Sequence, residues 1–290
     1  MRKKYEKALK DDKEGHSNVW IFEDKTERFR DLFPDKTDEI EAFVDDCLYE
    51  INDILADFWK LEFDFCILSK DDKNALLINH TISKMEIALE SCHHLLDIGY
   101  YGSANTLYRQ VYEYVVWLKM YISELQNPNK NIQEIFFSSD CKQDAVSYLK
   151  NNFKISIPNE YMGKITRSQV NQFVSTYYGE LCSLTHGSRN SQQTFIQSEN
   201  DYSELKKSLF RFVTILCMST YSSQLAYSAY GIWRIEIGRD NDYAQRAREL
   251  HKRSEKLLNK IDSKSLEKIP LQIVIIKGKW EDKNNSISKG

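Results

Sequence analysis

The residues of this chain best suited to acid–base chemistry are Arg109, Glu113 and His186. Arg109 and Glu113 stand one helical turn apart, so a guanidinium and a carboxylate can pair on one helix face and hold a further polar group or an anion. His186 precedes Gly187 at the expected end of another helix, where an imidazole titrates close to neutral pH. The three residue types together could bind an anion and move a proton.

The segment that carries Arg109 and Glu113 is predicted to be the central helix of the molecule. Val116 and Met120 lie close to the azimuth of this pair, and a helix that is apolar on two sides is normally central. The Arg–Glu pair is therefore expected to be partly buried and mutually paired, because an unpaired buried charge is costly. The opposite apolar stripe recurs at three- and four-residue steps through Leu107, Val111, Tyr114, Leu118, Ile122 and Leu125.

Apolar spacing predicts long helices along most of the remaining chain. Only 10 Gly and 4 Pro occur in 290 residues, which favours few turns and an all-α bundle of long antiparallel helices. The alternating residues 154–157 and the apolar run 271–276 predict extended segments, the second of which needs either the first or another subunit as its partner. The predicted helices cover residues 38–68, 74–98, 102–125, 168–185, 201–237 and 242–261, with shorter ones at 132–137 and 142–151.

Composition restricts the location and partners of the protein. The net charge of −3 gives no global basic signal, so any nucleic-acid contact must come from a local patch. No apolar run approaches the roughly 20 residues that span a bilayer, and no secretory signal is recognisable, so we expect a cytoplasmic protein. Six cysteines without a CxxC pair are expected to be buried thiols. We expect a flexible arm over 1–18, a helical domain over 19–262, and a strand and tail over 263–290.

Two segments resemble a known group of proteins. GSANTLYRQVYEY and YYGELCSLTHGS match the patterns A-x-x-L-x-R-x-x-x-E and Y-x-x-L-S/C-x-x-x-H. The matching residues are Ala104, Leu107, Arg109, Glu113, Tyr178, Leu181, Cys182 and His186. Over roughly residues 75–235 the chain resembles bacterial all-helical proteins similar to the HEPN superfamily, whose domains belong to toxin and phage-defence systems. In the usual signature of that superfamily an Arg precedes the His by a few residues, whereas here Arg189 follows His186.

The resemblance implies a metal-independent ribonuclease without a cofactor. His186 would transfer protons and Arg109 would stabilise charge on the phosphate. Glu113 would orient either His186 or Arg109. Arg189, Arg246 and Arg248 would contact RNA. The alternative is a non-enzymatic helical adaptor or ligand-binding module in which an Arg–Glu–His network is structural. The implied partners are RNA and a protein of a defence system, and the wide apolar faces favour a homodimer.

Two other groups of residues, a basic run and a Glu-x-x-His unit, each allow a functional and a structural interpretation. The basic run 234–260, which contains Arg246 and Arg248, has aromatic neighbours suited to RNA, but its interspersed acids favour a solvated helix face with internal ion pairs. Glu90 and His93 form the Glu-x-x-His unit of carboxylate-bridged metal bundles. No second unit occurs in the chain, so a partly exposed helix edge is the simpler interpretation, and a metal-dependent oxidase is the third functional hypothesis.

Overall fold

The computed structural model describes residues 37–69, 71–97, 100–125, 144–156, 166–185, 202–234, 238, 241–262 and 274–277. Within these residues the protein is an all-α bundle of seven helices with two short strands, which confirms the predicted class. In chain order the elements are α1 (Thr37–Ser69), α2 (Lys73–Asp97), α3 (Tyr101–Glu124), α4 (Ala145–Asn152), β1 (Phe153–Ser156), α5 (Arg167–Thr185), α6 (Tyr202–Trp233), α7 (Asp242–Ile261) and β2 (Val274–Lys277).

Most neighbouring helices run antiparallel. His93 of α2 contacts the Leu48 carbonyl of α1, while Asn79 of α2 donates to Glu62 near the other end of α1. Helix α7 runs antiparallel to both α1 and α6. Helices α3 and α6 instead run parallel, because Tyr108 meets Ser208 and Lys119 meets Tyr221, so residue numbers rise together along the pair. This parallel pair requires the chain to return to the starting end between α3 and α6.

Helix α3 is central, as the sequence predicts, and it touches α2, α4, α5, α6 and β2. Its buried face is wider than the predicted stripe: Tyr108, Tyr112 and Lys119 are buried, whereas Leu107 and Tyr114 are only half-buried. The hydroxyl of Tyr108 lies 3.1 Å from the Ser208 carbonyl oxygen and 3.0 Å from its side-chain oxygen. A buried tyrosine needs such a partner, so this contact fixes α3 against α6.

The two strands pair with each other in antiparallel register, from Phe153 opposite Lys277 to Ser156 opposite Val274. The predicted extended segment at 271–276 therefore has its partner within the same chain. Strand β2 contacts α3, while β1 contacts α4 and α5. The short sheet therefore lies on one side of the bundle, beside the central helix.

Capping residues fix three helix starts. Asp72 accepts from the backbone amides of Asn74 and Ala75 at the start of α2. Asp144 and Asn241 do the same for α4 and α7. At the corner between α6 and α7 the side-chain nitrogen Nδ2 of Asn241 also donates to the carbonyls of Tyr227 and Gly238. A Cβ at Gly231 would collide with that carbonyl of Gly238, so only glycine fits the corner.

Several predictions fall outside the described residues. These are the arm over 1–18, the helix at 132–137, most of the tail over 263–290, and the two site residues His186 and Arg189. None of the described helices is both long and apolar enough to cross a membrane. Cys47, Cys92 and Cys217 are buried free thiols, while Cys66 and Cys182 are half-buried.

Candidate functional site

A three-residue polar network joins α3 to α5. Arg109 donates from Nε to Oε1 of Glu113 at 2.9 Å, and from Nη2 to the hydroxyl of Tyr178 at 3.1 Å. Tyr178 in turn donates to the same Glu113 oxygen at 2.8 Å. Each side chain thus contacts the other two, and the carboxylate oxygen receives one charge-assisted and one phenolic hydrogen bond.

Packing of α5 against α3 places Tyr178 in the network. The ring of Tyr112 on α3 contacts the rings of Tyr177 and Tyr178, with centroids 5.3 and 6.2 Å away. Val174 and Leu181, one turn to either side, are buried in the core. The guanidinium carbon of Arg109 also lies 5.4 Å from the centroid of the Tyr178 ring, a cation–π contact. The phenol is therefore held by its ring as well as by its hydroxyl.

The electrostatics of the network favour a charged guanidinium and a neutral phenol. Burial acts to lower the pKa of Arg109, but the hydrogen bond to Glu113 and nearby Tyr178, Cys182 and Glu113 outweigh it, so the pKa is raised. Burial, followed by the bond to Glu113, raises the pKa of Tyr178 far above its ordinary value. Tyr178 therefore acts as a hydrogen-bond donor at neutral pH and not as a base.

Asp144 extends the network toward α4. Burial acts to raise its pKa, but hydrogen bonds from the backbone amide and hydroxyl of Ser147, together with the nearby hydroxyl of Tyr178, outweigh burial and lower it. The same carboxylate caps α4, with Oδ1 accepting from the Ser147 amide at 2.9 Å and Oδ2 from its hydroxyl at 2.8 Å. Asp144 thus links the start of α4 to the hydroxyl that bridges α3 and α5.

The network is partly open to solvent. The side chains of Arg109 and Glu113 are 24% and 25% exposed, which confirms the expected partial burial of the pair. An anion approaching from this side would meet a fixed guanidinium beside a carboxylate and a phenol. This arrangement can orient a polar ligand and stabilise negative charge, and proton transfer needs a further group such as an imidazole.

The predicted imidazole follows directly on α5 in sequence. Helix α5 ends at Thr185, so His186 and Arg189 lie just beyond the described residues of this helix. Cys182 is close enough to Arg109 to raise its pKa, and it stands four residues before His186. Tyr178 lies at Glu113 and Cys182 lies near Arg109, so the last turn of α5 is on the Arg109 side of the network.

The predicted RNA contacts on α7 lie elsewhere in the bundle. Arg246 pairs with Asp64 of α1 at 2.8 Å and with Asp242 at 3.7 Å. Further along the seam between α1 and α7, Arg253 pairs with Asp57 at 2.5 Å and Lys260 with Asp46 at 3.6 Å. Two ion pairs lie within α7, Arg246 with Asp242 and Lys252 with Glu249, as the solvated-face interpretation predicts, whereas the pairs with α1 were not expected from the sequence. Arg248 is half-buried on the same helix and also has an interaction partner.

The Glu90–His93 unit does not meet further metal-ligating groups. His93 directs Nε2 at the Leu48 carbonyl oxygen, 3.2 Å away, and Glu90 is exposed. Across the described part of the chain, no three His, Cys, Asp or Glu side chains are grouped in a way that could hold a metal ion.

Sequence reasoning missed the roles of two site residues. Tyr178 belongs to the second motif, but only the folded chain makes its hydroxyl the common partner of Arg109 and Glu113. Asp144 lies in a stretch of mixed composition, and its position before an apolar turn signals only a helix cap. Both links are long-range contacts, which helical periodicity does not encode.

Comparison with known proteins returned no matching family model, no matching curated protein and no matching solved structure. The fold and site define an all-α bundle with a part-buried Arg–Glu–Tyr network at a seam between two helices.

Proposed function

We propose that this chain is a HEPN-like helical protein of a bacterial defence or stress system, working in the cytoplasm as a metal-independent ribonuclease. One observation carries the proposal. The two sequence segments that resemble the HEPN superfamily are in direct contact, through the hydrogen bonds of Tyr178 with Arg109 and Glu113. A bipartite motif that assembles around a partly exposed guanidinium is what a phosphate-directed site requires.

In this proposal each group has a separate task. Arg109, held by Glu113 and Tyr178, stabilises negative charge on the scissile phosphate. His186 removes the proton of the RNA 2′-hydroxyl, or protonates the leaving oxygen. Arg189 contacts the RNA backbone, whereas Arg246 and Arg248 would first have to leave their partners within the protein, which for Arg246 include Asp64. Cleavage through the 2′-hydroxyl needs no metal ion.

A ribonuclease assay in the presence of EDTA tests the proposal. Labelled single-stranded RNA is incubated with the wild-type protein and with His186→Ala and Arg109→Ala, whose folding is checked by circular dichroism. We expect cleavage by the wild-type protein and a loss of roughly 100-fold or more in each variant. His80→Ala, at an exposed position on α2, is the matched control and should cleave normally. Equal cleavage by His186→Ala and the wild-type protein would refute the assignment.

The alternative is a non-enzymatic adaptor or ligand-binding module in which the network is structural. It is favoured by one observation: Nε and Nη2 of Arg109 are both bonded within the protein. Under this alternative the wild-type protein leaves the RNA intact, and Arg109→Ala lowers the melting temperature. Under the ribonuclease proposal, His186→Ala loses activity while its melting temperature stays close to that of the wild-type protein.

A further inference from the structure

The outer face of α1 and its neighbour α2 carry a concentration of exposed apolar side chains. Of the nine large apolar side chains that are exposed among the described residues, seven lie on these two helices. Three stand at successive turns of α1: Trp59, Phe63 and Ile67 are 52%, 50% and 58% exposed. The rings of Trp59 and Phe63 stack with centroids 5.7 Å apart. Contiguous exposed apolar surface of this kind marks an interaction site.

The spacing of this face is that of a helix-packing seam. Tyr49, Asn52, Ala56, Trp59 and Phe63 follow one another at alternating steps of three and four residues, and all five are exposed. Such a heptad pattern places one row of side chains along a helix for contact with another helix. We call these five residues the α1 stripe. It differs from the opposite, buried side of α1, which already packs on the core.

The α1 stripe is complementary to itself when two copies are antiparallel. The alternating steps of three and four residues define two heptad positions, one held by Ala56 and the other by Trp59. In an antiparallel helix pair each of these positions faces the other, so Ala56 of one copy meets Trp59 of the second copy. The two-fold axis repeats this contact, and a bulky indole lies over a small methyl twice. Phe63 then meets Asn52 of the second copy. A large residue opposite a small one allows the close approach that helix packing needs.

Charges along the same edge fit this register. Lys60 is the single basic residue of α1, and it lies seven residues after Asp53 on the same flank of the stripe. The antiparallel register sets Lys60 opposite Asp53 of the second copy, again twice. Three other acids of α1, Asp46, Asp57 and Asp64, are paired with basic residues of α7 and so add less repulsion between copies.

The surface area that the α1 stripe could bury between two copies is large enough for a specific interface. An aromatic side chain offers about 150–250 Å², and three of the stripe residues are aromatic and at least half exposed. With Ile67 and the flanking residues, the two copies together would bury on the order of 1,000 Å², the lower end of specific interfaces. We propose that a second copy of this chain docks on the α1 stripe in antiparallel orientation, with Ala56 against Trp59 and Asp53 against Lys60. This inference does not depend on the proposed ribonuclease activity.

Sedimentation velocity across the micromolar range tests the proposal on the full chain. We expect a dimer for the wild-type protein and a dissociation constant raised at least about 100-fold in Trp59→Ala, because each change removes two central contacts. Ile232→Ala is the matched control, since Ile232 is 58% exposed on α6, and it should dimerise like the wild-type protein. Circular dichroism of both variants should match the wild-type spectrum, because the changed side chains are at the surface.

Charge reversal tests the register. Lys60→Glu places like charges opposite each other twice and should weaken the dimer about 10-fold or more, and adding Asp53→Lys should restore it. Failure of the double variant to recover overturns the antiparallel register. A monomeric wild-type protein overturns the proposal altogether. If a Phe63→Cys variant of that monomer resisted a maleimide, another part of the same chain would be the occupant, and if it reacted freely, a different protein would be sought.

Discussion

Two seams of this bundle hold glutamates in opposite ways. At the α3–α5 seam, one oxygen of Glu113 accepts from both Arg109 and Tyr178, and a quarter of the side chain faces solvent. At the α1–α2 seam, Glu86 is 2% exposed and its Oε1 has no hydrogen-bond partner among the described residues. Burial, with nearby Glu90 and Glu62, raises the pKa of Glu86 to about 7. The first carboxylate accepts hydrogen bonds from two donors, while burial of the second favours its protonated form.

The contrast shows that burial alone does not identify a functional carboxylate. A desolvated acid without donors changes its protonation state, whereas an acid supplied with a guanidinium and a phenol can remain an acceptor. The network at Glu113 is therefore the better candidate for binding chemistry, although burial raises the pKa of Glu86 to about 7.

The largest expected effect comes from removing the acceptor at the α3–α5 seam. Glu113→Ala leaves the guanidinium of Arg109 and the hydroxyl of Tyr178 without their shared partner. We expect a loss of about 3 kcal/mol in the free energy of unfolding, measured by urea denaturation. Gln110→Ala, at an exposed position on the same helix, serves as the control. A loss below about 0.5 kcal/mol for Glu113→Ala would mean that the network carries no stability.

Next comes the pH dependence of Glu86. Its folded pKa, about 7, lies above the ordinary 4.5, so the folded chain retains a proton that the unfolded chain releases. Its contribution to stability is complete below pH 4.5 and is lost as pH rises to 7. Glu86→Gln should therefore equal the wild-type protein near pH 4 and exceed it by up to about 3 kcal/mol at pH 8, because each pKa unit corresponds to about 1.4 kcal/mol. Thermal melts across this range check the divergence, and Glu90→Gln, on the exposed side of the helix, should show a much smaller one.

Removing one hydroxyl should have a smaller effect. Tyr178→Phe keeps the ring contacts with Tyr112 and Arg109 but loses both hydrogen bonds of the hydroxyl. We expect a loss of about 1 kcal/mol in unfolding free energy. A double-mutant cycle with Glu113→Gln should show coupling, because the two groups share one hydrogen bond. Tyr114→Phe, which removes only an exposed bond from Gln110, provides the matched comparison, and additive losses at Tyr178 and Glu113 would contradict a shared network.

The smallest effect is expected at the α1–α7 seam. Arg246 and Asp64 are 33% and 38% exposed, so solvent screens their ion pair. Arg246→Ala should cost less than about 1 kcal/mol, and 1 M salt should erase the difference. Denaturation at low and high salt measures this. A salt-resistant loss as large as that of Glu113→Ala would remove the distinction between the two seams.

Much of the fold follows from the sequence because helical periodicity is local. Helix α7 occupies residues 242–261 as predicted, and the described parts of both extended segments form strands, the second at Val274–Lys277. The pairing of Arg109 with Glu113 is equally local, being one turn apart. Long-range contacts were not predictable in this way. Nothing in the pattern indicates that Tyr178 reaches Glu113, or that the acids of α1 neutralise the basic residues of α7.

The parallel pairing of α3 and α6 has a consequence for synthesis. Tyr108 and Ser208 are separated by 100 residues, so α3 leaves the ribosome long before the helix that covers it exists. At about 5–20 residues per second, the nascent chain carries an uncovered apolar face for roughly 5–20 s. The central helix is therefore among the last to be enclosed, although it is made early.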